Sequence, residues 1–269
     1  MSDYAVIIPI YKTDLTALEQ IALTQCKKIL SNYDIIIIKP EHLNENEVDF
    51  DLSFIKEIIS FPNVYFKDVF SYNNLMLETD FYKTFLKYEY MLIYQLDAFV
   101  FTDKLKYWCN LGYDYIGAPW LREKEYPTLF KKFKEQIRTY LHRRYNYLDK
   151  HGKPEIQRQM NNNVGNGGFS LRKVSTFYTF CMEHSDLVNS YKNQKSGYFN
   201  EDMFWTIEVN RRAKRIIVPP YRKALRFSIE TAPDRAIKMT GGELPFGCHA
   251  WDLHLDFWRP YFKSAGYDI

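Results

Sequence analysis

Two apolar runs near the start of the chain set the narrowest limit on its fold. Tyr4 to Ile10 (YAVIIPI) and Tyr33 to Lys39 (YDIIIIK) are continuous rather than alternating. A strand with water on one face alternates, whereas a continuous run reads as a strand buried on both faces of a parallel sheet. Between the runs Leu15, Leu18, Ile21, Ala22, Ile29 and Leu30 recur at helical spacing, with Asp14 placed to cap them. Strand, helix and strand in this order predict a βαβ unit and an α/β fold.

The rhythm continues along the chain. A third strand is expected at Asn63 to Lys67, a helix over 72–88, and strands at Tyr90 to Tyr94 and Tyr113 to Ala118. After the turn-rich run Asn161 to Gly168, a strand is expected at Phe169 to Arg172, helices over 174–188 and 200–212, and a strand at Ile216 to Val218. From Tyr221 onward no period is legible. No repeat or long linker divides the 269 residues, so one domain over 1–269 is expected, with halves at 1–120 and 161–269 around an insertion at 121–160.

Charge singles out that insertion. From Arg122 to Lys153 ten Lys or Arg face four Asp or Glu, an excess of six positive charges. The whole chain carries only +3, so the remainder is net −3. A protein that coats nucleic acid is basic over a whole binding face, and no nucleic-acid partner is expected here. Within the insertion Leu129, Phe133, Ile137, Leu141, Tyr145 and Leu148 form an apolar stripe, with Lys131, Lys132, Lys134, Arg138, Arg143 and Arg144 on the other faces. That pattern fits an interfacial helix on an anionic membrane over 128–148, and equally a surface helix whose stripe packs on the domain. The cysteines Cys26, Cys109, Cys181 and Cys248 form no Cys-x-x-Cys pair, which argues against a zinc ribbon or a disulfide framework and for a cytoplasmic protein. The longest aliphatic run, Ile35 to Ile38, falls far short of the ~20 residues a spanning helix needs. At most a peripheral place on the inner face of a membrane is expected.

Ligands of open α/β sheets bind beyond the carboxyl ends of the strands. Four segments there carry chemistry. Gln95-Leu96-Asp97 sets an amide and a carboxylate on one side of the chain straight after a buried strand, an arrangement that holds a divalent cation against phosphates. The same residues also serve a capped turn. Asn200-Glu201-Asp202 supplies either a general base or an ordinary helix cap. Gly165-Asn166-Gly167-Gly168 permits close approach of a ligand or a tight turn, and it lacks the strand-then-helix setting of a dinucleotide fingerprint. His249, beside Cys248 and near Asp252, is a metal ligand or a structural histidine.

Six segments in order, YAVIIPIYK, YEYMLIYQLDAFVF, YDYIGAPW, VGNGGFSLRK, NEDMFW and LPFGCHAW, resemble the GT-A class of nucleotide-sugar glycosyltransferases. More closely they resemble a bacterial family associated with surface-polysaccharide synthesis. The resemblance implies a single GT-A-like, Rossmann-like domain with a mostly parallel central sheet flanked by helices. It implies donor contacts at Pro9, Tyr11, Lys12, Gln95, Asp97, Gly167 and Gly168, and a Mn2+ or Mg2+ site at Asp97, His249 and Gln95. Gln95 stands where the family's Asp-x-Asp motif has its first Asp, and an amide offers oxygen without charge. Asp202 is implied as the base of an inverting transfer, with Glu201 beside it, and Phe169, Trp205 and Trp251 as acceptor contacts. The implied donor is a UDP-hexose or UDP-N-acetylhexosamine, and the acceptor an oligosaccharide or lipid-linked glycan. Tyr11, Trp120 and Phe246 join the candidate stacking surfaces of an aromatic-rich chain. Two other readings of the same sheet are a sugar nucleotidyltransferase, whose Gly- and Arg-rich loop after the first strand is missing at Tyr11-Lys12-Thr13-Asp14, and a non-catalytic glycan-binding protein, favoured by Gln95.

Overall fold

The computed structural model describes residues 3–122, 124–194 and 199–269. In chain order its strands are β1 (Tyr4–Pro9), β2 (Asp34–Pro40), β3 (Glu57–Phe61), β4 (Tyr90–Tyr94), β5 (Phe99–Val100), β6 (Tyr115–Ile116), β7 (Phe169–Lys173), β8 (Ser228–Ile229) and β9 (Gly247–Cys248). The main sheet has the order β3-β2-β1-β4-β7-β6, and its first four strands are parallel. β7 runs antiparallel to both neighbours. The two continuous apolar runs became β1 and β2, and with β4 they form the buried centre of the sheet.

The mixed α/β architecture with a mostly parallel sheet and flanking helices is the one expected, and several local expectations are corrected. Thr16, not Asp14, caps the Ala17–Leu30 helix: its hydroxyl accepts from Glu19 N at 3.3 Å while Glu19 accepts from Thr16 N at 2.8 Å. The third strand is Glu57–Phe61, and Asn63–Phe66 is a 3₁₀ turn. Pro62 ends that strand, and as the edge of the sheet it needs no continuous apolar run. The helix expected over 72–88 is two helices, Val69–Leu75 and Thr79–Thr84. The carbonyls freed at the break are held by tertiary donors, Met76 O by Tyr82 Oη at 2.7 Å and Leu77 O by Cys181 Sγ at 3.6 Å.

Downstream the pattern is similar. The helix expected over 174–188 breaks at His184 into Val174–Glu183 and Ser185–Lys192. The one expected over 200–212 is a short Glu201–Met203 turn followed by a π-helical turn, Phe204–Glu208, in which Val209 N donates to Phe204 O at 2.9 Å. Ile216 to Val218 joins no sheet; Ile217 instead bonds both ways to Asp114, through Asp114 N and Oδ2. The aperiodic C-terminal part contains a second sheet, ordered β5-β9-β8, and the Leu255–Ala265 helix. Two-residue strands are too short to show a period. Among the described residues no helix is long and apolar enough to cross a membrane.

Candidate active site

The site sits at the seam between the two sheets. Leaving β4, the chain passes through Gln95 to Ala98 and enters β5 of the second sheet. Gln95 N donates to Gly168 O at 2.8 Å, extending the β4–β7 pairing by one residue. Glu230 and His249 directly follow the parallel strands β8 and β9, so they emerge side by side, with His249 Nδ1 3.8 Å from Glu230 Oε1. The other ring nitrogen, Nε2, lies 3.0 Å from Asp97 Oδ1 and 3.2 Å from Gln95 Oε1.

Glycine is required where these groups meet. A Cβ on Gly168 would lie 1.8 Å from His249 Nε2 and 2.5 Å from Gln95 Oε1, and one on Gly167 would lie 2.0 Å from Glu201 Oε1. Neither residue has a positive φ, so the requirement is one of space.

Together these residues line a cleft of about 810 Å³, within the size range of small-molecule sites. Pro9, Tyr11 and Lys12 enter from the end of β1, and Lys12 is ion-paired with Glu19 at 2.6 Å. Asn166, Gly167, Gly168, Glu201 and Asp202 form the facing wall, and Trp120 adds apolar surface; Trp251 borders the cleft with its side chain fully buried against Phe262, which removes it from the expected acceptor contacts. Asp202 accepts from Asn166 N at 3.0 Å and from Met203 N at 2.7 Å, which ties the acidic pair to the glycine loop. Behind it, Glu201 is ion-paired at 2.8 Å with Arg172, both buried.

Burial and the charge of Glu201 push the Asp202 carboxyl up to about 7, against the pull of its two amide donors. Burial alone would depress His249, but the Asp97 and Glu230 carboxylates outweigh it and push the imidazole up to about 10. Six polar atoms of the lining, Tyr72 Oη, Asp97 Oδ1, Glu201 Oε2, Glu230 Oε2, His249 Nδ1 and Trp251 Nε1, are buried with no hydrogen bond among the described residues. Asp97 Oδ1 is near His249 but poorly aligned with it. Buried polar atoms are seldom left unpaired, and a cluster of them in one cleft fits a polar ligand.

A divalent cation fits the donor set at the seam. Among the described residues no three His, Cys, Asp or Glu side chains are grouped to hold a metal. The Gln95 amide oxygen supplies the third donor, beside the unaligned Asp97 Oδ1 and His249 Nε2. Ligation would require the imidazole to release its Nε2 proton.

The structure thus gathers Pro9, Tyr11, Lys12, Gln95, Asp97, Gly167, Gly168, Glu201, Asp202, His249 and Trp251 around one cleft. Phe169 and Trp205 are elsewhere, a correction to the expected acceptor contacts, and so is Phe246. All three are fully buried, Phe169 against Tyr94, Phe227 and Phe246, and Trp205 against Tyr82 and Phe177. Their aromatic mass fills the core. Sequence reasoning passed over Arg172 and Tyr72. The signal for Arg172 is its place at the end of the expected strand Phe169 to Arg172, a charged residue after Phe-Ser-Leu.

Comparison with solved structures agrees with this architecture. The galactosyltransferase LgtC in complex with donor and acceptor sugar analogs superposes with a TM-score of 0.53 at 12% identity, over 91% of this chain and 86% of that one. The bifunctional glycosyltransferase WbbM in its apo form superposes with a TM-score of 0.52 at 14% identity, over 92% of this chain and 45% of that one. At these identities the likeness is one of fold: the chain has the GT-A-like glycosyltransferase fold. No curated protein sequence matches the chain. Over residues 56–249, from the residue before β3 to His249 of the cleft, the chain matches the family described as Protein of unknown function (DUF5672), and it belongs to that family.

Proposed function

We propose that the chain is a glycosyltransferase that moves a sugar from a nucleoside diphosphate donor to a hydroxyl of a glycan acceptor. The observation that carries the proposal is the convergence of Gln95, Asp97 and His249 at the end of β4, with Asp202 on the facing wall of the same cleft. Transfer needs a base for the acceptor hydroxyl and compensation for the charge that develops on the departing diphosphate. Asp202, with its carboxyl near neutrality, suits the first task. It takes the acceptor proton as the new oxygen–carbon bond forms, and the bond from the anomeric carbon to the diphosphate breaks with its electron pair on the leaving oxygen. A cation on Asp97, Gln95 and His249 would supply the positive charge for the second task.

In this single displacement the anomeric configuration inverts. Tyr11 and Lys12 suit the nucleoside end of a UDP-hexose or UDP-N-acetylhexosamine, and Trp120 the sugar rings. An oligosaccharide or lipid-linked surface glycan is the acceptor class. Isothermal titration with uridine diphosphate, with and without manganese, tests the reading. Binding with manganese is expected, and no binding under either condition overturns it. Proton NMR of the product tests the stereochemistry, since retention would exclude direct displacement. A glycan-binding protein without activity would bind the acceptor and release no uridine diphosphate from any donor.

A further inference from the structure

The Leu129–Tyr145 helix is mounted with its polar side inward. Thr139 is buried, and Arg143 donates to Gln159 O and Asn161 O, each at 2.6 Å. Arg211 donates to Arg143 O at 2.5 Å and to Gln159 Oε1 at 3.0 Å, and Arg144 donates to Arg211 O at 2.6 Å. These bonds fix the rotation of the helix about its axis. At about 100° per residue, Leu129, Phe130, Phe133, Ile137 and Tyr140 fall within one arc of about 100° whose centre lies about 130° from Thr139, and Arg144 of the last turn falls in the same arc. They are 83%, 77%, 62%, 44% and 64% exposed. A helix on a water-facing surface normally carries the reverse pattern. Of the stripe read in the sequence, Leu129, Phe133, Ile137, Tyr145 and Leu148 are exposed and Leu141 is half-buried, so the stripe as a whole does not cover the domain.

Lys134, Arg138 and Lys131 occupy the adjoining arc, all exposed, and neither lysine has an ion pair among the described residues. We propose that this face is a docking surface for an anionic membrane. The apolar arc enters the boundary between headgroups and acyl chains, and the basic arc lies at the lipid phosphates. Charge decides the occupant. A second copy seated across the same face would bring the basic arcs of both copies together, whereas an anionic bilayer complements them. The mount also has a consequence for the cleft, because Arg143 grips the carbonyls of Gln159 and Asn161, a few residues before the Asn166–Gly168 wall. Docking would set that wall at a fixed place relative to the bilayer.

The surface goes beyond the transfer reading and stands without it, so it is tested in the absence of nucleotide. The full chain is pelleted with vesicles of phosphatidylcholine alone and of phosphatidylcholine with phosphatidylglycerol. Binding to the anionic vesicles is expected, weaker by about tenfold or more on the zwitterionic ones and falling as salt is raised. Phe130→Ser with Phe133→Ser, and separately Lys131→Glu with Lys134→Glu, should each weaken it by about tenfold. Should the serine pair lose its native circular dichroism, the glutamate pair, which alters only exposed lysines, decides alone. Equal partitioning onto both vesicle types overturns the proposal, as does a glutamate pair that pellets like the parent. A dimer in light scattering that the serine pair dissolves overturns it in favour of self-association.

Discussion

Arg172 meets Glu201 at 2.8 Å with both side chains withdrawn from water, behind the acidic wall of the cleft. The guanidinium also donates to Tyr82 Oη at 3.0 Å and to Ser170 Oγ at 3.1 Å, so β7, the Thr79–Thr84 helix and the Glu201 turn share one polar network. Removing one member strands the other's charge in the interior. Arg172→Met should cost about 3–5 kcal/mol of unfolding free energy. Arg172→Met with Glu201→Leu should regain most of that loss, because no buried charge is left. Urea unfolding of the three proteins checks both statements, and a single variant as stable as the parent would contradict the pairing.

As the proposed base, Asp202 should make transfer depend on pH. With its carboxyl at about 7, kcat/KM should fall about tenfold per pH unit below that value and level above it. Asp202→Asn should lower the rate and remove the slope. A parent profile that is flat between pH 5 and 7 (about two units below the carboxyl's value) would remove Asp202 from the role of base.

The same carboxyl links stability to pH, with a definite sign. Its value in the folded chain, about 7, stands above the ordinary aspartate value of 3.8. Between these limits the native state keeps a proton that the unfolded state has lost, so stability is greatest at the acid end and declines as pH rises through the window. Asp202→Asn cannot ionise. The unfolding free energy of the variant relative to the parent should therefore grow from about pH 4 to about pH 7 and then stay level. A difference that shrinks over that range would show the shift to have the opposite sign.

How far this was legible in the sequence follows from how each element is stabilised. β1, β2 and β4 carry their burial in their own residues and could be read directly. The edge strand β3 and the two-residue strands β5, β8 and β9 depend on partners far along the chain, and no local period announces them. The cleft followed the same division. Gln95 and Asp97 could be placed because they follow a legible strand, whereas the meeting of His249 with Glu230 depends on the parallel pairing of β8 with β9. Phe169 and Trp205 were misplaced because an aromatic residue that stacks on sugar and one that fills a core look alike in sequence.

Gly168 offers a test of the seam by size alone. A methyl group there would sit 1.8 Å from His249 Nε2, and the ring is hemmed in by Asp97, Gln95 and Glu230. Gly168→Ala should force the imidazole out of place and weaken binding of manganese and uridine diphosphate by about tenfold or more, roughly 1.4 kcal/mol. Calorimetric titration reads the change. Affinity equal to the parent's would mean that His249 contributes nothing to the bound state.

Gln95 is the position at which affinity for the proposed cation should be raised. A carboxylate in its place adds the charge that a hard cation prefers, and in the metal-free protein it sets a second anion against Asp97. Gln95→Asp should therefore bind manganese about tenfold more tightly than the parent. Its melting temperature should rise more steeply with added manganese, since a ligand that binds only the folded state stabilises in proportion to the logarithm of its concentration over Kd. Adding His249→Ala should abolish the gain, because the aspartate would lose the nitrogen donor that the parent holds 3.2 Å from Gln95 Oε1. Thermal unfolding across a manganese series, with no donor sugar present, measures this without recourse to activity. A Gln95→Asp protein whose melting temperature responds to manganese no more than the parent's would show that the cation does not bind at the seam.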